Sequence, residues 1–257
     1  MTLTLDSIRD IRLYQRQRGY RFSLDALLLF DFARLQKAGR IADLGAGSGV
    51  IGLLLAKKYP QAEVTLVELQ EGLYNLALKN IALNGLSDRV TAVREDIRAI
   101  GGKEAGHGAP AFASQGFDMV VSNPPFRKAM TGRISQDEER ALARHELKFQ
   151  FPAMVRAASY LLKNRGRFFM IYHPERLLEM FMALREGGLE PKRMRFVHGK
   201  YGPGGQDSHG GRGAFGAKMV LVESVKGASR GLAVEGPLFV YAPDGSYTPE
   251  VRRIYGL

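Results

Sequence analysis

The chain has no cysteine. That excludes disulfides, thiolate metal sites and cysteine nucleophiles together. It also has no long apolar run; a stretch such as Ala26–Phe30 is far too short to span a bilayer. The opening residues Met1-Thr2-Leu3-Thr4-Leu5-Asp6 lack the basic-then-apolar order of a secretory signal. A cytoplasmic protein without a membrane partner is the expectation. No self-similar period of solenoid length is present. Acidic side chains are in deficit: Asp and Glu number 26 against 37 Lys and Arg, a formal net charge of +11. Such a surplus concentrates polyanions at the surface and points to nucleic acid as a partner. Many soluble proteins are simply basic, but Arg9, Arg12, Arg16, Arg18 and Arg21 are clustered, which favours the nucleic-acid reading.

What is present is a chain of 257 residues, enough for one large domain with a sizeable core. Residues 1–38 form a basic, partly amphipathic lead-in. Ser23-Leu24-Asp25 opens an apolar helical run to Leu35, with Ser23 placed as N-cap and Asp25 in the first turn. From Arg40 onward strands and helices alternate. Ile41–Leu44, Glu63–Val67, Val90–Val93 and Phe117–Ser122 read as strands. Val50–Lys58 and Gly72–Leu83 read as helices, the second stopped near Asn84-Gly85. A helix over Phe151–Leu162 precedes the strand Arg167–Tyr172, and Pro174 suits the first turn of another helix running to Arg185. This alternation argues for an α/β fold with a doubly wound, mostly parallel sheet. Residues 101–116 read as a flexible loop. The glycine-rich stretch 199–216 reads either as a surface linker or as a basic loop that orders on a polyanion. Pro237–Tyr241, Asp244-Gly245 and Ser246–Thr248 read as a small hairpin within a C-terminal extension, 230–257.

Two motifs carry chemistry. Asp43-Leu44-Gly45-Ala46-Gly47-Ser48-Gly49 lies between a strand and a helix, where Gly45, Gly47 and Gly49 let the backbone turn tightly against a ligand. No Gly-Lys-Ser/Thr ending follows, so this is not a P-loop. Asp43, ahead of the glycines, would repel a pyrophosphate but suits a cationic ligand. Glu68 closes the next strand, where an acid can bind both ribose hydroxyls. An ammonium, a sulfonium and a ribose together describe S-adenosylmethionine. Asp96, after the third strand, could accept from an adenine amine or be a solvated loop aspartate. The second motif, Asn123-Pro124-Pro125-Phe126, follows the fourth strand. Asn123 offers an amide oxygen, Pro124 a carbonyl free of any N–H of its own, and Phe126 a ring. Together they can grip a flat group bearing an NH2, although a structural Pro-rich turn would look the same in isolation.

In this combination the chain resembles the class I S-adenosylmethionine-dependent methyltransferases over about residues 20–225. The resemblance implies a Rossmann-like domain with a seven-stranded, mostly parallel sheet, here one domain over 1–257. It implies cofactor contacts at Asp43, Gly45, Gly47, Gly49, Glu68 and Asp96, with Asn123 also at the cofactor. Asn123 through Phe126 is similar to the motif of enzymes that methylate amino or amide nitrogen. Gly19–Leu29 and Ala143–Glu146 look like segments of the tRNA1(Val) adenine-N6 methyltransferase family. That likeness puts Phe22, Ser23 and Asp25 near the methionine end of the cofactor. It implies tRNA, at an anticodon-loop adenine, as the partner, with Asn123, Pro124 and Phe126 as catalytic residues. Arg127 after Phe126 and the long glycine-rich stretch depart from the family pattern. Competing readings are methylation of a protein glutamine, methylation of rRNA guanine-N2, and a non-catalytic RNA-binding protein. Against the glutamine reading, only about forty residues precede the glycine motif. His145-Glu146 has no partners at metal-binding spacing, and no metal is expected.

Overall fold

The computed structural model describes residues 3–17, 23–101, 114–124, 151–200 and 216–257. The chain opens on an antiparallel hairpin, β1 (Leu3–Ile8) and β2 (Ile11–Arg16), then enters helix α1 (Leu24–Phe32). Strands and helices then alternate through β3 (Arg40–Leu44), α2 (Val50–Lys58), β4 (Glu63–Val67), α3 (Glu71–Leu83), β5 (Val90–Val93) and β6 (Phe117–Ser122). Helix α4, described over 151–161, leads into β7 (Leu162–Tyr172). A 3-10 turn at Pro174–Arg176, α5 (Leu177–Glu186), β8 (Leu189–Lys200) and β9 (Met219–Lys226) follow. The chain closes with β10 (Ala233–Val234), β11 (Leu238–Tyr241) and α6 (Pro249–Tyr255).

The seven main strands lie in the order β5-β4-β3-β6-β7-β9-β8, and β10 and β11 both pair with β8 at its far edge. Pairing is parallel except at β9, which runs antiparallel to both β7 and β8. This is the doubly wound, Rossmann-like α/β architecture. Strands buried on both faces read as continuous apolar runs, and Phe168, Phe169, Met170 and Ile171 in β7 have no exposed surface at all. One core layer gathers Ile11 and Leu13 of the hairpin, Leu53 and Leu55 of α2, and Val251 and Ile254 of α6. The other packs α4 and α5 against Val120, Phe168 and Met170.

Several local outcomes differ from the sequence expectations: β7 starts at Leu162 rather than Arg167, and the helix expected from Pro174 divides into the 3-10 turn and α5. Helix α1 stops at Phe32 rather than Leu35, where Ala33 turns extended, and Lys58 Nζ satisfies the freed end by donating to the Ala33 carbonyl at 2.8 Å. The basic lead-in contains a β-hairpin as well as the helix. The C-terminal hairpin reduces to one antiparallel bridge, Tyr241 to Tyr247, on the edge of β11 opposite β8, and the returning segment turns into a helix directly afterwards. Thr248 then opens α6. Its Oγ1 accepts from the Val251 N–H at 3.4 Å and donates to the Phe239 carbonyl at 2.7 Å.

Candidate active site

Strand order reverses between β3 and β6, since the chain winds outward from β3 to β5 and then returns to β3's other side. Ligands of open α/β sheets bind at such a point, outside the carboxyl ends of the strands. Both motifs lie there. The glycine loop leaves β3, Asn123 and Pro124 leave β6, and Asp43 stands in register with Val121 across the two strands. Ser122 Oγ donates to the Leu44 carbonyl at 2.8 Å, tying the two strand ends together.

The loop needs its glycines for stated reasons. Gly45, Gly47 and Gly49 have φ of 73°, 58° and 88°, the left-handed region that side chains disfavour. A Cβ on Gly49 would come 2.9 Å from Leu66 Cδ1, whereas one on Gly45 would meet no atom within 4 Å among the described residues. So Gly49 is fixed by packing, while Gly45 faces open space. The loop's amides are held by the neighbouring strand: the Gly45 and Ala46 N–H groups each donate to the Val67 carbonyl at 2.9 Å.

Two buried acids flank this loop. Glu68, after β4, accepts from the Gly47 N–H (2.9 Å, Oε2) and the Gln70 N–H (2.8 Å, Oε1). Asp43 is 1% exposed. Its Oδ2 accepts from the Gly52 N–H at 3.0 Å, while Oδ1 is buried with no hydrogen-bond partner among the described residues. Burial pushes the Asp43 carboxyl up to about 7, the Gly52 bond opposing and the nearby Glu68 charge adding to the rise. An unpaired buried carboxylate oxygen beside an open glycine turn fits a cationic ligand, as the ammonium and sulfonium of S-adenosylmethionine require. Asn123 Oδ1 is likewise buried without a partner among the described residues. It therefore lacks the donor that an incoming N–H would supply.

The other anticipated residues divide. Ser23 occupies the N-cap of α1, but its hydroxyl donates to Asp25 at 2.9 Å instead of accepting a helix N–H. Neither Ser23 nor Asp25 bonds to the glycine loop among the described residues. Asp96 is bound by its neighbour: Arg98 Nε lies 2.8 Å from Oδ2 and the Arg98 N–H 2.8 Å from Oδ1. This hydrogen bonding to Arg98 holds the Asp96 carboxyl below its usual range. Phe22, Pro125, Phe126 and most of the glycine-rich stretch lie outside the described residues. The residue that sequence reading missed is Asn80, fully buried in α3. Its Nδ2 donates to the Ser48 carbonyl (2.9 Å), bracing the glycine loop from behind. A signal existed, because Leu73, Leu76, Ala77, Asn80 and Ile81 form the buried stripe of that helix.

Residues 24–186 match the family model described as the methyltransferase small domain. The chain belongs to that family. It is an S-adenosylmethionine-dependent methyltransferase. A relative from Porphyromonas gingivalis, a tRNA1(Val) (adenine(37)-N6)-methyltransferase, is 33% identical over 184 residues, spanning 70% of this methyltransferase and 69% of the relative. Among solved structures, a predicted O-methyltransferase from Agrobacterium tumefaciens superposes with a TM-score of 0.68 at 25% identity, covering 90% of this methyltransferase and 95% of that chain. TrmN from Thermus thermophilus, at 22% identity, shares the fold with a TM-score of 0.54, over 78% of this methyltransferase and 47% of its own chain.

Proposed function

We propose that this methyltransferase transfers a methyl group to the exocyclic N6 amine of an adenine in RNA, at a tRNA anticodon loop. The observation that carries the reading is Asn123 Oδ1, buried without a partner at the end of β6 and beside the glycine turn. The name of the Porphyromonas gingivalis relative supports the choice of base and RNA. An amine on adenine is a poor nucleophile because its lone pair is delocalised into the ring. Asn123 Oδ1 and the Pro124 carbonyl would each accept one of its N–H bonds, which favours a pyramidal nitrogen with its lone pair exposed. Phe126 would stack on the flipped-out base. Asp43, Gly45, Gly47, Gly49 and Glu68 would hold S-adenosylmethionine, which when bound would supply an electrophilic methyl group and leave as the neutral thioether. No strong general base is required, since the methylated ammonium is acidic, and most of the acceleration comes from placement. Phe22, Ser23 and Asp25 would close over the methionine end, and Asp96 would turn to the adenine end only by releasing Arg98. We read 1–257 as one domain because the hairpin and α6 share the central core. A tRNA substrate places its work in the cytoplasm.

The test uses radiolabelled cofactor with total RNA and total protein from cells lacking this protein, followed by digestion and nucleoside analysis. Label in N6-methyladenosine of tRNA is the expected result. Label in protein or in N2-methylguanosine would overturn the reading.

A further inference from the structure

The hairpin has two unlike faces. Register pairs Leu3 with Arg16, Leu5 with Tyr14 and Ser7 with Arg12, and residues directly opposite in an antiparallel pair share a face. The inner face buries Ile8, Ile11 and Leu13 and places Gln15 Nε2 2.6 Å from Asp6 Oδ2. The outer face holds two arginines, a tyrosine, two leucines and a serine, and no acid. Neither the Arg12 nor the Arg16 side chain pairs with an acid among the described residues. Leu5 is 53% exposed beside Tyr14.

This face is aimed along the molecule. β2 runs antiparallel to α3, with Arg12 at Asn84 and the Arg16 guanidinium packed against Gly72, where a side chain would collide with it. Gly72 lies in the first turn of α3, at the cofactor end of the sheet. From there to Asn84 is about 18 Å of helix. At the far end Arg12 lines a cavity of 360 Å³ together with Ser7, Arg9, Lys57 and Asn84, and with one acid, Asp10. Basic groups with an aromatic ring between them, running towards the catalytic end, match the chemistry of a nucleic-acid backbone with unpaired bases.

We propose that the outer face of this hairpin is the docking track for the RNA, Arg12 and Arg16 each holding a phosphate while Tyr14 and Leu5 pack on the sugar or base between them. The proposal rests on the RNA reading above and adds where the RNA lies. The support behind this face suits such a role, because β2 is fixed through its backbone and its inner side chains. The outer side chains can therefore change without loosening the fold.

The test is tRNA binding by the full chain between 50 and 200 mM salt. It compares R12E/R16E with K37E/R230E, an exposed pair carrying the same change in net charge. R12E/R16E should bind at least about tenfold more weakly than the control pair at 150 mM salt. Its salt slope should be smaller by about 1.5, at roughly 0.7 to 0.9 per lost phosphate contact. Its melting temperature and its calorimetric affinity for S-adenosylmethionine should match wild type. Equal affinity and slope for the two double variants would overturn the proposal. Because the readout is binding, the two readings fail separately. tRNA held through this face but never labelled on adenine would sink the substrate alone. N6-adenine labelled while R12E/R16E binds as the control does would sink the track alone.

Discussion

Asn80 holds Tyr14 as a neighbouring strand would: its Oδ1 accepts the Tyr14 N–H at 2.7 Å and its Nδ2 donates to the Tyr14 carbonyl at 3.2 Å. One turn on, Asn84 repeats the pattern on Arg12, with Oδ1 2.9 Å from the Arg12 nitrogen and Nδ2 2.7 Å from its carbonyl. Two amides spaced i, i+4 on a helix thus meet alternate residues of a strand. The helix supplies β2 with a hydrogen-bonded edge that no strand offers among the described residues. Because Asn80 Nδ2 also donates to Ser48, the hairpin and the cofactor loop share one buried side chain.

Replacing Asn80 with alanine should therefore affect two regions together. Tyr14 and Ser48 would lose buried partners, at about 1 to 3 kcal/mol for each group left unsatisfied. We expect a loss near 3 kcal/mol in chemical denaturation, with weaker binding of S-adenosylmethionine in calorimetry. Asn80→Asp should do no better, since a carboxylate cannot donate to either carbonyl. A destabilised variant with unaltered cofactor affinity would show that the brace does not reach the loop.

Asn123 gives the opposite sign on stability. Its Oδ1 is buried and unsatisfied, so Asn123→Ala removes an uncompensated polar group, worth up to about 1 kcal/mol in favour of the variant. The same change removes the acceptor for the substrate amine. Methyl transfer should fall by about 100-fold or more, by analogy with loss of one oriented hydrogen-bonding group at a reacting centre. Cofactor affinity should stay close to wild type. A melting curve, a calorimetric titration and a methylation assay on one preparation decide it, and near-normal turnover would remove Asn123 from the chemistry.

The pH dependence of Asp43 follows from its buried position. Its folded-state value of about 7 lies above the ordinary aspartate value of 3.8. The folded chain therefore holds the proton more tightly than the unfolded one. That favourable contribution is full below the unfolded value and is lost as pH rises through about 7. At pH 8 wild type carries a buried charge that Asp43→Asn lacks, while the amide oxygen can still accept from Gly52. The variant should melt higher than wild type at pH 8, by an amount that shrinks towards pH 5. It should also bind S-adenosylmethionine more weakly, because the cation loses its counter-charge. A stability difference independent of pH would mean that Asp43 does not titrate in this range.

The alternation of strands with helices was legible because β3, β6 and the last part of β7 are buried on both faces and so read as short apolar runs. Those runs placed the boundaries of α2, β4 and β5 at the residues where the structure has them. The glycine turn and Asn123 were legible because a positive φ and a buried acceptor demand particular residue types. What escaped was long-range. Arg193 bonds Glu223 at 2.7 Å, Glu235 at 2.9 Å and the Phe32 carbonyl at 2.8 Å. Arg195 bonds Glu250 at 2.6 Å. Those partners lie 30 to 161 residues away in sequence, so no local window shows them. The same is true of Asn80 and Tyr14, 66 residues apart.

Gly45 and Gly52 separate the cofactor space from the packing beneath it. Gly52 lies in α2 over β4, and a Cβ there would run into Leu66 Cδ2, with Val64 Cγ1 and Asp43 Oδ2 each at 3.4 Å. Leu66 has no exposed surface, so it has little room to yield. Gly52→Ala should cost about 1 to 3 kcal/mol as overpacking. Gly45→Ala meets no atom, and its cost is the left-handed backbone alone, about 1 kcal/mol at φ 73°. Yet its methyl would point into the open space that we assign to the cofactor. Gly45→Ala should therefore be the milder variant in a denaturation curve but should lose at least about tenfold in affinity for S-adenosylmethionine. If Gly45→Ala bound the cofactor as wild type does, the open space at that turn would not be the cofactor's.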